Sequence, residues 1–346
     1  MQTINKVLIT GAGGYIGSTL CEHLLLNGLQ VIAYDRYFFG KEVLGDLAGN
    51  PDLTIVQKDI RACEVSDFKG VDIVCDLAAL SNDPSGDLDT DLTRQINHLG
   101  RLRVAQKAKE AGVKRYILSS SCSVYGDGVG NFLTEQFPPH PLTEYARSSL
   151  AAENDVLKLA DESFAVTVFR LATVYGVSRR MRFDLVINIM TLHAVEKGCI
   201  HILGAGNQWR PLVHVRDVAR AFHLAMTAER PVINRQIFNI GHNDQNLQVL
   251  SIAYIVRETL PFVVRTEMTP SDADKRDYKV CFDKVWDLLG FQPEMIPADG
   301  VREVYDALKT GRIRPDLRTS TVKWYKYLIE ADHILQSVKL EGRLLK

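Results

Sequence analysis

Three glycines directly after a strand-like run could bind a phosphate group. Gly11, Gly14 and Gly17 lie in TGAGGYIGS, which follows the apolar run KVLIT and opens a helical pattern. The first glycine allows a tight turn, the second lets the backbone approach a pyrophosphate, and the third lets helix and strand pack closely while the helix N-terminus faces the anion. We therefore predict that this loop, with Tyr15 and Ile16, binds a dinucleotide.

An acid at the end of the next strand indicates which dinucleotide. Asp35 follows Gly17 by 18 residues, where a carboxylate accepts hydrogen bonds from the adenosine ribose and repels a 2′-phosphate. NAD is therefore the predicted cofactor, and NADP is the alternative because Arg36 could meet a 2′-phosphate. After the third strand, Asp59 and Ile60 are expected to flank the adenine, with a strand-end turn as the alternative role for Asp59.

The elements that must hold these residues alternate between strand and helix patterns. Nearly continuous Val, Ile and Leu runs predict strands buried on both faces, as in a parallel sheet. Such runs cover residues 6–10, 30–35, 53–59, 71–79, 115–121 and 165–174. Helical patterns lie between them at residues 15–27, 90–111 and 145–160. This order predicts an α/β fold with a Rossmann-like doubly wound parallel sheet.

The regular alternation of strand and helix patterns ends after residue 176, where a smaller mixed α/β C-terminal lobe is predicted. The strands predicted there are residues 200–203, 236–240 and 279–282, and the helices are residues 183–197, 215–226, 249–260, 283–289 and 300–308. The predicted domain limits are 1–176 for the NAD-binding Rossmann domain, to which later segments return, 177–315 for the second lobe, and 316–346 for a C-terminal helical extension.

Composition argues against several classes of function. The 346 residues carry 41 Lys and Arg against 42 Asp and Glu, which argues against a nucleic-acid binder that relies on bulk positive charge. No leader-like stretch precedes KVLIT, and no window of about 18 residues is apolar enough for a membrane span. The six cysteines have no metal-like spacing, so we expect no metal site, a reducing compartment and a cytoplasmic protein.

Further motifs follow the glycine loop in order: LAAL at 77–80, SSSCSVYG at 119–126, RLATVYG at 170–176, GAGNQWRPLVHVRD at 204–217, FNIG at 238–241 and DKRDYKV at 274–280. With the G-x-x-G-x-x-G spacing and a helix-opening Tyr145, they resemble the extended short-chain dehydrogenase/reductase family, in its NAD-dependent nucleotide-sugar epimerase/dehydratase branch. The resemblance implies a nucleotide-diphosphate sugar as the substrate of the second lobe. It adds four residues to the cofactor site, namely Leu77, Ala78, Ala79 and Ser119.

By the same resemblance, Tyr145 is the catalytic phenol and Ser121 the catalytic hydroxyl. The pair suits oxidation of a sugar hydroxyl to a ketone, because Tyr145 can exchange the proton while Ser121 orients the oxygen. The alternative is a helix-start aromatic residue and a strand-end serine. Cys122 and Ser123 stand where dehydratases of the branch show an acid pair, and neither side chain replaces an acid, which disfavours 4,6-dehydration.

The lysine that this family has four residues after the tyrosine is Ser149 here. A cation about 6.5 Å from the phenol, at an effective dielectric constant near 20, favours the phenolate by about 2.5 kcal/mol, or nearly two pKa units. Ser149 lacks that charge, although its hydroxyl could still bond to the nicotinamide ribose. Arg147 lies about 200° around the helix from Tyr145 and is poorly placed to replace the lysine. A substitute cation must come from elsewhere, or the phenol acts mainly as an acid.

Two arginines are predicted to hold the substrate. Arg210 and Arg276 match family positions that meet the sugar-nucleotide diphosphate, for which the guanidinium fork is suited; surface ion pairs are the alternative. The other predicted substrate residues are Ser81, Thr173, Asp184 and Leu185. Ser81 follows LAAL at the edge where open α/β sheets bind ligands, and a capped turn is the alternative there.

These features predict an NAD-dependent epimerase of a nucleotide-diphosphate sugar that acts through a transient keto-sugar. Two alternatives stay open. One is a nucleotide-sugar 4-ketoreductase or dehydrogenase with net redox change, and the other is a catalytically altered member of the family because of Ser149. The resemblance also implies a homodimer through a four-helix contact, for which residues 90–111 and 145–160 are the candidate helices.

Overall fold

A computed structural model of the chain describes residues 4–128, 132–270, 276–340 and 342–344. Its strands are β1 (Lys6–Thr10), β2 (Gln30–Asp35), β3 (Leu53–Gln57), β4 (Ile73–Asp76), β5 (Arg115–Ser121), β6 (Phe132–Leu133), β7 (Ala165–Leu171), β8 (Thr173–Tyr175), β9 (Cys199–Leu203), β10 (Trp209–His214), β11 (Gln236–Ile240), β12 (Asn246–Gln248), β13 (Arg265–Thr269) and β14 (Lys279–Val280). Its helices are α1 (Tyr15–Leu26), α2 (Asp83–Gly86), α3 (Thr90–Arg94), α4 (Arg101–Glu110), α5 (Glu144–Leu157), α6 (Val186–Lys197), α7 (Val215–Thr227), α8 (Arg230–Ile233), α9 (Val249–Thr259), α10 (Asp283–Leu289), α11 (Pro297–Lys309) and α12 (Thr321–Val338).

Seven strands form one parallel sheet in the order β11-β7-β5-β4-β1-β2-β3, which confirms the predicted doubly wound Rossmann-like fold. The chain moves from β1 outward to β2 and β3, then crosses to β4 on the other side of β1. In open α/β sheets a ligand crevice forms at such a switch point, outside the carboxyl ends of the strands. The residues that follow β1, β4 and β5 therefore meet at one edge.

Both faces of the large sheet are buried. In β1, Val7 and Ile9 belong to one hydrophobic cluster together with Phe222 of α7, whereas Leu8 belongs to another together with Val104 of α4. Helices cover the sheet on each side, so successive residues of a strand must all be apolar. This explains the continuous apolar runs in the sequence.

The predicted helix at residues 90–111 is interrupted by a π-helical turn, Gln95–Gly100, between α3 and α4. Asn97 in this turn is buried, and its side-chain amide accepts from the N–H of Leu80 at 2.8 Å and donates to the Leu80 carbonyl at 3.1 Å. Such turns widen a helix by one residue and often lie at functional sites. Here the turn fixes the loop after β4, and α4 begins directly after it at Arg101.

The second lobe forms three small sheets with β6 and β8, two strands that precede residue 177. The sheets consist of β8, β10 and β12, of β9 and β13, and of β6 and β14. Its hydrophobic core lies between α6, α9 and α11 and includes Ile187, Ile252 and Val301. The predicted strands of this lobe did not include β12 or β13, each of which pairs with a single neighbour. Strand β11 returns to the large sheet beside β7.

Helix α12 packs beside the end of β2. The indole Nε1 of Trp324 donates to the carbonyl of Phe38 at 2.7 Å, and the ring of Tyr325 lies 5.8 Å and 5.6 Å from the rings of Phe38 and Phe39. The predicted C-terminal helix therefore forms and contacts the Rossmann part. No helix within the described ranges combines the length and the apolar character that a membrane span needs.

Candidate active site

The glycine loop between β1 and α1 forms a cradle with no room for side chains. Gly11 has a φ of +69°, and a Cβ there would lie 2.8 Å from the backbone nitrogen of Ala78. A Cβ on Gly17 would lie 2.1 Å from the carbonyl oxygen of Gly11, to which Gly14 donates at 2.9 Å. With Ile16 these glycines line a cleft at the switch point of the sheet. The bare backbone and the free N–H groups of the α1 start fit a pyrophosphate.

Tyr15 also lines the cleft, but its phenol contacts the second lobe. Its hydroxyl donates to the carbonyl of Gly176 at 2.5 Å and accepts from the Asn188 amide at 3.3 Å. Burial raises the pKa of this phenol well above its usual value. The hydroxyl of Ser178 donates to the Tyr15 carbonyl at 2.6 Å and lies 3.1 Å from the Ser18 hydroxyl. These bonds tie the start of α1 to the segment after β8.

Asp35 lines the cleft at the end of β2. Its carboxylate accepts from the N–H groups of Gly13 at 2.9 Å and Tyr37 at 2.5 Å. Burial raises the pKa of Asp35, against the effect of these donors. The carboxylate thus has a fixed position beside the cradle, where an adenosine ribose needs an acceptor.

Arg36 and Asp59 form an ion pair at the rim of the cleft. Asp59 lies 3.1 Å from Arg36 and 2.8 Å from the guanidinium of Arg61, and it also accepts from the Arg61 N–H at 2.9 Å. The hydrogen bond from Arg61 lowers the pKa of Asp59 to about 2. Asp59 therefore stabilises the turn after β3 while it lines the cleft together with Ile60.

Arg180 is a buried cation in the same cleft. Its guanidinium lies 3.6 Å from the ring centroid of Phe39, and Nη2 donates to the Thr321 hydroxyl at 3.0 Å. Its Nε is buried with no hydrogen bond to the described residues, and burial lowers the pKa of Arg180 to about 10. A buried guanidinium with an unsatisfied N–H fits an anionic ligand. Cradle, Asp35 and Arg180 together fit a dinucleotide.

The loop after β4 forms the next part of the cleft wall. The hydroxyl of Thr10, at the end of β1, accepts from the N–H groups of Leu77 and Ala78 at 3.1 Å each. Leu77, Ala78 and Ala79 line the cleft, as does Ser119 of β5. The structure thus brings all the predicted cofactor residues to one cleft.

Tyr145 and Ser121 meet at the carboxyl edge of the sheet. Ser121 is the last residue of β5, and Tyr145 lies in the first turn of α5, which Thr143 caps by accepting from the Ala146 N–H at 3.2 Å. The Ser121 hydroxyl acts on the phenol and lowers the pKa of Tyr145, and both residues line the cleft. A substrate hydroxyl bound against both groups would be oriented by the serine and would exchange its proton with the tyrosine.

Charges on several elements act on the Tyr145 phenol. Burial raises the pKa of Tyr145 above its usual value, and the Asp83 carboxylate on α2 raises it further. Arg101 on α4 and Arg182 before α6 lower it, as does the Ser121 hydroxyl. Burial dominates, so the phenol carries its proton at neutral pH.

Ser149 makes no contact with the cleft in the described residues. It is 1% exposed, and its hydroxyl donates to the Tyr145 carbonyl at 2.7 Å, within its own helix. Arg147 is exposed and pairs with Glu144 at 3.1 Å. Neither residue therefore places a positive charge beside the phenol.

Asp184 is held by three neighbours at the second-lobe side of the cleft. It accepts from Arg182 at 2.8 Å, from the Asn82 amide at 3.0 Å and from the Thr321 N–H at 3.2 Å. Burial opposes its ionisation, but the Arg182 charge holds the pKa of Asp184 below its usual value. Asp184 is not among the described residues that line the cleft, whereas the predicted substrate residues Ser81, Thr173 and Leu185 are.

The two predicted diphosphate arginines lie together. Arg276 lines the cleft and forms an ion pair with Asp83. Arg210 is buried, is not among the described residues that line the cleft, and donates to the carbonyl of Arg276 at 2.5 Å. Residues Asp274 and Lys275 of the DKRDYKV motif lie outside the described residues.

The sequence analysis missed several residues that line the cleft. They are Phe38, Phe39, Asp83, Arg101, Arg180, Arg182, Tyr278 and Tyr325. A signal was present for two of them, because RRMRFD at 179–184 places three arginines shortly after β8. Arg101 and Tyr325 had no such signal, since each lies in a helix with many charged residues and reaches the cleft only through the fold.

Away from the cleft, Cys199 and His201 of β9 and Glu267 of β13 bring atoms that can bind a metal within 4.8 Å of one another. Chain spacing did not reveal this cluster, because the two strands become neighbours only in the folded lobe. The expectation of no metal site stays a prediction.

Comparison with known proteins gives the family. The model of the NAD dependent epimerase/dehydratase family matches residues 7–241 of the chain. The chain belongs to this family. The family that the motifs predicted is thereby confirmed, and the description of that family supports NAD as the cofactor.

Its curated relatives include more than one reaction type. The putative UDP-glucose 4-epimerase of Methanocaldococcus jannaschii is 26% identical over 312 residues, which cover 88% of this chain and 98% of the relative. The UDP-glucose 4-epimerase of Mycolicibacterium smegmatis is 27% identical over 312 residues, which cover 87% of this chain and 97% of the relative. UDP-glucuronic acid decarboxylase 4 of Arabidopsis thaliana is 25% identical over 308 residues, which cover 87% of this chain and 68% of the relative.

Solved structures share the fold over most of the chain. MoeE5 in complex with UDP-glucuronic acid and NAD has a TM-score of 0.77 and 26% identity, covering 89% of this chain and 100% of that one. UDP-glucuronic acid 4-epimerase from Bacillus cereus, in complex with UDP-glucuronic acid and NAD, has a TM-score of 0.78 and 24% identity, covering 88% and 99%. About a tenth of the present chain has no counterpart in either structure.

Proposed function

We propose that this enzyme inverts one carbon of a nucleotide-diphosphate sugar through a transient keto-sugar. The observation that carries the proposal is that Tyr145 and Ser121 line one cleft together with the glycine cradle. Relatives named as UDP-glucose 4-epimerases support this class of substrate. NAD, when held in this cleft by the glycine cradle and Asp35, would supply the hydride acceptor and donor that the reaction needs.

Ser121 and Tyr145 have different roles toward the sugar hydroxyl. Ser121 orients the hydroxyl oxygen, and the Oη atom of Tyr145 takes its proton as the carbon is oxidised. When the carbon is reduced again, the same phenol returns the proton. Inversion requires that the keto-sugar present its other face, or lose a proton at the neighbouring carbon, between these steps. No net redox change results.

Arg276 is the proposed partner of the substrate diphosphate. It lines the cleft beside Asp83, and its backbone carbonyl is held by Arg210. A diphosphate offers a guanidinium stronger and more numerous hydrogen bonds than one carboxylate does. Arg210 would act by fixing the Arg276 backbone. Ser81, Thr173, Asp184 and Leu185 are proposed to border the sugar and nucleotide.

The residues after Ser121 favour epimerisation over dehydration. Cys122 is buried, and its thiol donates to the Arg170 carbonyl at 3.3 Å. Burial raises the pKa of this thiol far above its usual value. Ser123 has a hydroxyl in place of a carboxyl group, so neither position supplies the acid and base that loss of water needs.

Turnover of a panel of UDP-, dTDP-, GDP- and CDP-sugars by the purified protein tests the proposal. We expect one of them to be converted to its epimer, seen by NMR of the sugar protons, with no added reduced cofactor and no accumulation of NADH. Stoichiometric NADH, released CO2 or a dehydrated product would overturn it. Tyr145→Phe is the matched inactive variant.

A nucleotide-sugar 4-ketoreductase is the second candidate. The observation in its favour is that burial raises the pKa of Tyr145, which keeps the phenol in the form that donates a proton to a ketone. This activity would consume one reduced cofactor for each keto-sugar reduced. Loss of NADH absorbance with a 4-keto-sugar, and no epimerisation without added cofactor, would select it over the epimerase.

A further inference from the structure

Arg101 is an arginine inside the cleft wall that is almost completely buried. It is the first residue of α4 and is 1% exposed. Its Nη2 donates to the carbonyl of Asp76, at the end of β4, at 2.9 Å and to the carbonyl of Ser119 in β5. The guanidinium is therefore fixed across two neighbouring strands, near the edge where Ser121 ends β5.

The charge of this guanidinium is only partly balanced. The nearest carboxylate, Asp76, lies 3.7 Å from Nε, and its two oxygens accept hydrogen bonds from the hydroxyls of Thr10 and Tyr116. Nε itself is buried and makes no hydrogen bond to the described residues. A buried cation without a close bidentate partner stabilises negative charge in its surroundings.

We propose that Arg101 is a positioning residue that supplies, from α4, the positive charge that stabilises the phenolate of Tyr145 during proton transfer. This deepens the proposed function, because it names the group that lets Tyr145 act as a base. Arg101 and Tyr145 line the same cleft, while the position one turn after Tyr145 holds only Ser149. The cation comes from a different helix, 44 residues earlier in the chain.

The other charged groups that face the phenol do not fill this role. Asp83 on α2 raises the pKa of Tyr145, whereas Arg101 and Arg182 lower it. Arg182 is bonded to both oxygens of Asp184, at 2.8 Å and 3.2 Å. Of Arg101 and Arg182, only Arg101 has a buried Nε without a hydrogen bond to the described residues.

Titration of the Tyr145 phenol without any sugar tests the proposal. The chain is labelled with 13Cζ-tyrosine, and the Tyr145 resonance is assigned by its loss in Tyr145→Phe. In Arg101→Met we expect the titration midpoint of the Tyr145 phenol to rise by about one pH unit or more. At a given pH below the midpoint, the phenolate fraction would then be about tenfold smaller. Arg101→Lys should keep the midpoint near that of the parent. Arg147→Met, which removes an exposed arginine on the same helix as Tyr145, is the control and should leave the midpoint unchanged.

Loss of Arg101 leaves Asp76 buried and unpaired, so Arg101→Met is also prepared with Asp76→Asn, which keeps the carboxamide in place. An unchanged midpoint in the folded double variant, relative to Asp76→Asn alone, would overturn the proposal. If both arginine variants fail to fold, the titration midpoint of Tyr145 in Asp76→Asn alone tests the proposal. Removing the counter-charge should lower the Tyr145 midpoint, and no change would count against Arg101.

Rescue separates an electrostatic role from a structural one. Adding Ser149→Lys to Arg101→Met returns a cation to the α5 face of Tyr145, and we expect the midpoint to fall back toward the parent value. A purely structural arginine would leave the titration midpoint of Tyr145 in Arg101→Met at the parent value, and the lysine would then have no loss to restore. Because the titration needs no turnover, it can succeed even if no nucleotide sugar is epimerised, so the two proposals fail separately.

Discussion

At the scale of single residues, the hydroxyl of Tyr145 is the group on which the proposed chemistry depends. Tyr145→Phe keeps the ring and removes only that hydroxyl. We expect the rate of epimerisation to fall by about 10²- to 10⁴-fold, the usual contribution of a general acid–base group, while bound NAD, measured after denaturation, stays unchanged. Tyr254→Phe, on the exposed side of α9, is the control. An unchanged rate would mean that proton transfer takes place elsewhere.

Ser149→Lys in the parent chain tests how much activation the phenol lacks. A cation one turn along α5 lowers the pKa of Tyr145, so its base form is populated at lower pH. The rising limb of kcat/KM against pH should therefore move to lower pH. Loss of activity in a folded variant would instead show that the site is built around the charge of Arg101 and does not accept a second cation.

Residues whose role depends on local spacing were predictable from the sequence. The glycines of the cradle and Asp35 stand at fixed distances from strand ends, and the structure places them in one cleft. Arg101 was not predictable, because the run RLRVAQKAKE predicts a charged surface helix. Only the π-helical turn before it and the packing of α4 against the sheet bring this arginine inside.

At the scale of elements, the approach of α1 to β1 depends on Gly17. Gly17→Ala places a Cβ 2.1 Å from the Gly11 carbonyl oxygen, so the cradle must open. We expect the free energy of unfolding to fall by about 1–3 kcal/mol, as in overpacked cores, with a loss of NAD binding. Chemical denaturation and bound-NAD content measure the two effects. Gly49→Ala, with open space around the added Cβ, should change neither.

Element boundaries followed from the sequence where a strand is buried on both faces. β1, β2, β5 and β11 have the predicted limits, because continuous apolar runs end where the loops begin. The helix at residues 90–111 was predicted without its π-helical turn, since one extra residue in a turn barely alters the apolar periodicity. Strands β12 and β13 were not predicted, because each is short and pairs with a single neighbour.

At the scale of the whole molecule, α12 forms one wall of the cleft through Tyr325. Tyr325→Ala removes the ring that packs on Phe38 and Phe39. We expect several-fold weaker NAD retention during gel filtration, because the wall beside Asp35 loses its support. Ile334→Ala, 55% exposed on the same helix, should retain NAD as the parent does. Equal retention in both variants would show that α12 has no part in cofactor binding.

We propose that two copies of the chain associate through the surface formed by the π-helical turn, α4 and α5. His98 and Asp155 join the turn to α5 at 2.8 Å, and the neighbouring Leu99 is 48% exposed. Light scattering should give twice the mass of one chain, and Leu99→Glu should reduce it to one. Leu26→Glu, at an exposed position at the end of α1, should leave the dimer intact. A monomeric parent would contradict the proposal.

The bonds between the start of α1 and the segment after β8 restrict how the two halves of the molecule can move. Tyr15 and Ser18 are joined to Gly176 and Ser178 by buried hydrogen bonds, so this segment must travel with the cofactor loop as one rigid piece. A hinge is therefore not expected at residue 176, where the alternation of strand and helix patterns in the sequence ends. Any closing motion over a ligand has to pivot beyond Ser178, on the side of the second lobe.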